Sequence, residues 1–561
     1  MHGPTLPISK EIHQSKYRLE GEPFDDCCYR LSSTLSDSDE HRHALSDIFL
    51  NMRFLPAGRV QAAIGSPRKI TPWNCFVSGT IDDSFEDIMD KAGEAGRTMR
   101  LGGGIGYDFS TLRPRGSLIR SLGSQSSGPV SFMDIYDSVC GTIASAGHRR
   151  GAQMGVLRVD HPDIEEFIYA KRNSTKLTRF NISVAITDDF MDAVRDGKEF
   201  NLRWHNKIYK TVDARTLWDA IMRSNWDWAE PGVLFIDRIN EYNNLWYCED
   251  IAATNPCGEQ PLPPYGACLL GSFNLTKYVK GDDFDYSLFD SDINHVVRAM
   301  DNIIDLGIYP LPQQEQEGRS KRRMGLGLTG VANAIERMGF PYGSSGFLLR
   351  LKSILIRLRN HTYTTSTILA KEKGAFPLYD KEKYLQGKFI ATLPDSIKSG
   401  INEHGIRNSH LLSVAPTGTI SLAADNISSG IEPVYTYEYI RTIQNYDGPS
   451  METVTDYGYR EWGVEGRKAN DVTAEEHVKV LCLTQQYVDS SVSKTCNVGP
   501  DVQWEQFKKI YVDAYENGAK GCTTFRSSGK RKGILEEKKE YVDDEDSVCT
   551  IDQQTGQPTC S

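Results

Sequence analysis

The sequence predicts a mixed α/β protein built on a parallel sheet. Two features carry that prediction. From about residue 70 to 530, short apolar runs rich in Val, Ile and Phe alternate with segments whose apolar positions recur at helical spacing, the pattern of strand–helix units laid on a parallel sheet. The chain of 561 residues is also 39% hydrophobic and 25% charged, apolar enough to bury a large core and to exclude a largely disordered chain. That length admits three or four domains of roughly 150 residues, or one large α/β barrel.

Taken in chain order, residues 1–55 alternate polar with short amphipathic stretches, and His43 to Leu55 reads as a helix. The run Phe180-Asn181-Ile182-Ser183-Val184-Ala185-Ile186 reads as a buried strand, and Asp292 to Leu306 as a helix. Lys530 to Asp546 is mostly charge, and the residues after it are polar around two cysteines, the composition of a flexible tail. No repeat, long linker or low-complexity tract precedes it.

The balance of 64 Lys+Arg against 75 Asp+Glu gives a net charge of −11, which argues against binding nucleic acid through general phosphate neutralisation. No apolar run approaches the ~18 residues of a membrane span, and the opening Met-His-Gly-Pro-Thr-Leu-Pro lacks a basic-then-apolar signal pattern. A cytoplasmic enzyme is expected. Twelve cysteines are too sparse for a disulfide scaffold, and no C-x2-C or H-E-x-x-H zinc spacing occurs, so no metal site is expected.

Four motifs stand out. Gly325-Leu326-Gly327-Leu328-Thr329-Gly330 matches G-x-G-x-x-G, but a dinucleotide site needs a strand just before it, and Gly318 to Arg323 is basic and polar. The run Leu101 to Phe109 is glycine-rich and is followed by Arg113, Arg115 and Arg120; it reads either as a backbone able to approach a phosphate ligand or as a tight turn with a solvated basic face. In Asn255-Pro256-Cys257-Gly258-Glu259, an amide, a thiol and a carboxylate stand at i, i+2 and i+4. In an extended segment, which Pro256 favours, all three would share one side, a set suited to hydrogen bonding, sulfur chemistry and acid–base work, or else the stretch is a structural loop with an incidental cysteine. Cys268 follows eleven residues later. Finally, Pro416-Thr417-Gly418-Thr419-Ile420-Ser421 offers hydroxyls and backbone amides at a possible helix start, either a phosphate cradle or an ordinary capped helix.

Together with Asn74-Cys75-Phe76, Ala267 to Asn274, Arg322 to Gly327 and Pro416 to Pro433, these stretches fall in one order and spacing over nearly the whole chain. In that order the chain resembles the catalytic subunit of ribonucleotide reductase. The resemblance implies a ten-stranded α/β barrel with a central finger loop (residues 71–530), a helical N-terminal region (1–70) and a flexible redox tail (531–561). It implies reduction of ribonucleotides to 2′-deoxyribonucleotides, the supply of DNA precursors. Cys257 would be the transient thiyl that removes the 3′-hydrogen, Glu259 the base on the 3′-hydroxyl, and Asn255 a hydrogen-bonding partner in the site. Cys75 and Cys268 would supply two electrons and end as a disulfide. Asn74, Gly104 and the Pro416, Thr417, Gly418, Thr419, Ile420 and Ser421 cradle would hold the substrate. A radical must be shielded from solvent, hence a barrel interior, and a two-electron reduction needs further thiols beside the first.

The resemblance extends to partners. A tail dithiol, here Cys549 and Cys560, would pass electrons from a thioredoxin-like protein, although the two stand further apart than the family's usual pair. Members that need a separate di-metal radical subunit carry two adjacent tyrosines near the C-terminus; the corresponding Gly521-Cys522-Thr523-Thr524-Phe525-Arg526 has none. An adenosylcobalamin enzyme is therefore expected, with the di-metal class as the alternative, and an NAD dehydrogenase or a non-catalytic nucleotide-binding relative as further ones. Asp83, Arg113, Arg120 and Arg150 fall where the family contacts a deoxynucleotide effector, Gly147 to Gln153 matches the loop that reports effector identity, and a homodimer would follow. The stretch before Cys75 is shorter than the family's ATP-binding cone, so overall on–off control is expected to be missing.

Overall fold

The structure, a computed structural model, describes residues 2–143, 151–172, 176–445, 448–526, 529–530, 535–537, 549–551 and 558–560. Three helices, Pro7–Tyr17, Phe24–Leu35 and Asp39–Leu50, lead in. The expected helix His43–Leu55 is shifted. Ser38 caps the third helix by accepting the His41 N–H at 3.1 Å, so it starts at Asp39. At its far end Met52 adopts a left-handed φ of 51°, and Phe54–Pro56 is already a strand.

Eight strands form the main sheet, in the spatial order Ala267–Cys268, Cys75–Val77, Gly104–Asp108, Gln153–Arg158, Phe180–Ile186, Gly232–Phe235, Gly521–Arg526, Thr495–Val498. The run from Cys75–Val77 to Gly232–Phe235 is parallel throughout, as is the outer pair Gly521–Arg526 and Thr495–Val498. Two antiparallel seams flank the parallel run, Ala267–Cys268 on Cys75–Val77 and Gly521–Arg526 on Gly232–Phe235. Phe180–Ile186 spans the predicted residues and is buried except at Asn181, as a strand covered on both faces should be.

A second sheet holds Phe54–Pro56, Leu270–Asn274 and Gly325–Thr329, and single parallel bridges extend it from Leu326 to Leu412 and from Val414 to Val492. Ladder pairing among the described residues does not close into one ring. Gly325–Thr329 places the glycine motif inside a strand, not in a loop before a helix. Methyl groups on Gly325 and Gly327 would overlap Gln260 and the Ser413 carbonyl, so these glycines serve close packing. Helix Tyr286–Leu306 starts six residues before the expected Asp292 because Asp285 accepts the Leu288 N–H at 3.0 Å.

Toward the C-terminus, Leu535–Glu537 pairs antiparallel with Glu438–Asn445, and Cys549–Ile551 pairs antiparallel with Pro558–Cys560, Cys549 opposite Cys560. Among the described residues no helix is long and apolar enough to cross a membrane.

Candidate active site

The Asn255–Glu259 motif is a hairpin tip. Ala253–Thr254 pairs antiparallel with Pro261–Leu262, and Thr254 opposes Pro261. Between them the Asn255 N–H donates to the Gln260 carbonyl at 3.1 Å, the Gly258 N–H donates to the Asn255 carbonyl at 3.1 Å, and Asn255 Oδ1 accepts the Gln260 N–H at 3.0 Å. Gly258 has φ +80°, a conformation glycine takes at little steric cost. This corrects the extended reading of the motif. Asn255 and Glu259 are buried while Cys257 is exposed at the tip, because the turn rotates the middle of the motif away from its flanks.

The tip is anchored from both sheets. Asn181, in the main sheet, donates its Nδ2 to the Pro256 carbonyl at 2.8 Å. From the other side the Ser413 hydroxyl and the Ser491 N–H donate to the Glu259 carbonyl at 2.8 and 3.0 Å. Sequence reading missed Asn181, Ser413 and Ser491. The one available signal was Asn181, the lone amide in a strand whose other residues are apolar except for Ser183.

Beneath the tip lies the glycine-rich strand Gly104–Asp108. A methyl group on Gly106 would overlap the Thr254 carbonyl oxygen, so the hairpin rests directly on this backbone. At Gly104 an added methyl would stand 3.1 Å from Pro256 Cγ and 3.2 Å from Cys75 Sγ. One glycine thus faces both the residue before Cys257 and the sulfur of Cys75. Cys75 in turn is the register partner of Cys268, and both are buried. Directly opposed residues of an antiparallel pair have Cα atoms about 4.5–5.5 Å apart, within the roughly 4.4–6.8 Å a disulfide requires.

Three buried side-chain atoms around this cluster lack a hydrogen-bond partner among the described residues: Asn74 Oδ1, Asn255 Nδ2 and Gln260 Nε2. Leaving such atoms unsatisfied costs about 1–3 kcal/mol each, so they mark places where a polar ligand can bind. Gln260 is a further candidate that sequence reading did not single out.

Gly418–Ala423 forms the expected helix, with Thr417 at its N-cap in a left-handed conformation of φ 53°. Thr417 Oγ1 accepts the Gly430 N–H at 2.7 Å and lies 2.9 Å from Thr329 Oγ1, and Ser421 Oγ lies 2.8 Å from Ser429 Oγ. Both hydroxyls therefore brace the loop itself. Thr419 is exposed, and Pro416 and Ile420 are half-buried.

Asp83 and Arg113 come together, Arg113 Nε donating to Asp83 Oδ2 at 2.7 Å and its N–H to Oδ1 at 3.0 Å. Arg120 is exposed in the turn joining Leu118–Ile119 to Ser124–Gln125. Arg150 lies outside the described residues, as does most of the Gly147–Gln153 loop. In the glycine and arginine stretch, Gly104 and Gly106 face the hairpin, Gly102 and Gly103 face Arg59 and Phe76, and Arg113 and Arg115 donate to Asp83 and Glu166.

The hairpin tip thus carries one exposed cysteine, and the residue before it faces, across Gly104, a buried cross-strand pair of cysteines. The model of the ribonucleotide reductase barrel domain matches residues 73–460 and 466–525. The chain belongs to the ribonucleotide reductase family. It is 36% identical, over 82% of its length, to the vitamin B12-dependent ribonucleoside-diphosphate reductase of Thermoplasma acidophilum. It is 35% identical, over 86% of its length, to a protein of the same description from Mycobacterium tuberculosis. With the ribonucleoside-diphosphate reductase subunit alpha of Chlamydia trachomatis, identity is 24% over 77% of the chain. The chain spans 62% of the Thermoplasma protein and 72% of the mycobacterial one.

Proposed function

We propose that this protein reduces ribonucleotides to 2′-deoxyribonucleotides by thiyl-radical chemistry and depends on adenosylcobalamin. The observation that carries the reading is the meeting, at Gly104, of Cys75 Sγ with Pro256 of the Cys257 hairpin. It supports a site built from the exposed Cys257 and the cross-strand pair Cys75 and Cys268. Cys257 removes the 3′-hydrogen, Glu259 takes the 3′-hydroxyl proton, and Asn255 offers the substrate its Nδ2, which has no partner among the described residues. Cys75 and Cys268 give up two electrons and two protons as the 2′-oxygen leaves as water. The nucleotide lies between Asn74 and Gly104 at one end and the Pro416–Ser421 segment at the other.

Adenosylcobalamin, when bound, supplies the radical that oxidises the Cys257 thiol. The chain's residues suit such a source, because Cys257 is exposed while Asn255, Pro256 and Glu259 around it are buried. Both higher-identity relatives described above are named vitamin B12-dependent. In the alternative class a separate di-metal subunit would deliver the radical, but Phe525, in the strand Gly521–Arg526, has no phenol to relay it.

The ten-stranded barrel is part of the reading. Five parallel strands run from Cys75–Val77 to Gly232–Phe235. A second five are supplied by residues 267–274, Gly325–Thr329, 411–414, 490–498 and Gly521–Arg526, parallel neighbours through ladders or single bridges. The two antiparallel seams join the halves, and the hairpin anchored from both sides is the finger. Residues 1–70, 71–530 and 531–561 serve as helical lead-in, barrel and redox tail, with Cys549 and Cys560 receiving electrons from a thioredoxin-like protein. A deoxynucleotide effector binds near Asp83, Arg113, Arg120 and Arg150. The exposed Phe85 and Met89, with the apolar groove along Ile135, Val139 and Ile143, suit pairing with a second copy.

The test is reduction of CDP and of CTP by the purified chain with dithiothreitol, with and without adenosylcobalamin. Product that requires adenosylcobalamin supports the reading. Product that appears only with an added di-metal protein overturns the cobalamin assignment.

A further inference from the structure

Tyr265 stands three residues before Cys268, on the turn that joins the hairpin to the strand Ala267–Cys268. Its φ is +64°, left-handed backbone that a bulky side chain rarely adopts and that glycine or asparagine would take more readily. Its side chain makes contacts that explain the choice. The ring closes over Gly79, where an added methyl would overlap it. The phenol oxygen accepts from Lys91 Nζ at 3.0 Å and donates to Glu94 Oε2 at 3.2 Å. Lys91 is itself paired with Asp87 at 3.5 Å and Glu94 at 3.6 Å, all on the helix Phe85–Arg100. The backbone joins in: the Tyr265 N–H donates to the Ser78 carbonyl at 3.4 Å, and the Val77 N–H to the Gly266 carbonyl at 3.0 Å.

This lock sits beside one of the two shortest registers in the sheet. Ala267–Cys268 is a two-residue strand at the sheet's edge, its ladder with Cys75–Val77 limited to Cys268 opposite Cys75 and Ala267 opposite Phe76. A slip of one residue would turn the Cys268 side chain to the other face and part it from Cys75. So short a ladder does little to resist that slip. Tyr265 and Gly79 close both chains just beyond it, and the phenol bolts the closure to a long helix.

We infer that Tyr265 is the positioning residue of the Cys75–Cys268 pair, an inference that rests on reading that pair as the two-electron donor. In each turnover both thiols lose hydrogen and one S–S bond forms. Two electrons and two protons pass to the nucleotide, whose C2′–O bond breaks with the oxygen leaving as water. Disulfide formation requires the two sulfurs to meet, and the register held by Tyr265 keeps them opposed.

The test is the dithiol–disulfide equilibrium constant of Cys75–Cys268 in the full chain, set by dithiothreitol redox buffers and read by alkylation and mass spectrometry. Tyr265→Asn suits the left-handed backbone but removes ring and phenol. It is expected to lower the constant at least about tenfold, some 30 mV for a two-electron couple, with unchanged melting temperature and nucleotide affinity. Tyr265→Phe, which keeps the ring over Gly79, is expected to recover most of the loss. A Tyr265→Asn constant within about threefold of the parent, or a fall matched by loss of cooperative unfolding, overturns the inference. Single-turnover product from Cys75→Ser, measured in parallel, reports on the donor reading separately: product there sinks that reading whatever the Tyr265 variants do.

Discussion

Cys75 and Cys268 are register partners across an antiparallel seam, and the Cys75 sulfur shares a glycine, Gly104, with the loop that presents Cys257. Opposed positions of an antiparallel pair suit a disulfide without backbone movement. Mild oxidation of the substrate-free protein is therefore expected to join Cys75 to Cys268 ahead of the other buried cysteines. Peptide mapping after diamide treatment checks this. Preferential linkage of either residue to Cys257 would mean that the seam is not where the electrons are drawn.

Cys257→Ser is expected to lower turnover at least about a thousandfold, each tenfold step being about 1.4 kcal/mol of barrier. Nucleotide affinity should change less than about twofold, because ground-state contacts barely differ while an alkoxyl radical is far harder to form than a thiyl. Turnover assays with equilibrium nucleotide binding separate the two. Substantial activity in this variant would place the radical elsewhere.

Gly106→Ala tests the seat of the hairpin. Its new methyl would overlap the Thr254 carbonyl, a backbone atom that cannot rotate away. Overpacking of this kind costs roughly 1–3 kcal/mol. Because the displaced backbone carries Cys257 three residues on, turnover should fall at least about tenfold beyond any loss of stability, in keeping with the penalty for misplaced reacting groups. Denaturant unfolding and turnover at saturating substrate together check it. A stable variant with parental activity would show that the hairpin does not depend on this contact.

How much of this was legible in the sequence depends on the range of the interactions involved. Phe180–Ile186 was readable because seven neighbouring residues carry the whole signal of a buried strand. The residue types of Asn255, Cys257 and Glu259 announced chemistry, but not their shape. That shape is set by Asn181, Ser413 and Ser491, which reach the loop from positions far away in the chain. Pairing of Cys75 with Cys268 was implied by resemblance alone, since nothing in either local stretch fixes a contact across 192 intervening positions. The glycine-rich run around Gly104–Asp108 stays open in sequence between a ligand approach and a tight turn, because close backbone approach looks the same whether the approaching group is a phosphate or the chain itself.

Glu336 gives the fold a pH dependence. Burial pushes its carboxyl up to about 7, against the pull of the Arg467 and Tyr342 N–H groups and with the help of the nearby Asp456. One oxygen, Oε1, accepts both of those N–H groups, at 2.8 and 3.0 Å, and Oε2 has no partner among the described residues, as a protonated oxygen would allow. The native state then holds a proton that the unfolded chain releases near 4.5, so stability falls as pH rises from about 4.5 to about 7. The full span is about 3 kcal/mol. Glu336→Gln should flatten this slope and raise stability at pH 8, as read by urea unfolding at several pH values. An unchanged slope would mean that the carboxyl ionises freely in the native state.

The tail cysteines carry the last prediction. Cys549 and Cys560 are opposed in the antiparallel pair of Cys549–Ile551 with Pro558–Cys560, so their wide spacing in sequence does not prevent them from acting as one dithiol. Thiol–disulfide exchange needs direct sulfur contact. Cys75 and Cys268 are buried, so a bulky protein reductant cannot make that contact, whereas the far smaller dithiothreitol is expected to. Cys549→Ser and Cys560→Ser are each expected to slow multiple turnover with a thioredoxin-like reductant at least about tenfold more than with dithiothreitol, the relay being lost and the seam left intact. Single-turnover product from prereduced protein should survive both substitutions. The quantity to measure is the ratio of rates with the two reductants. Equal losses with both, or no loss with either, would leave the tail without a part in electron delivery.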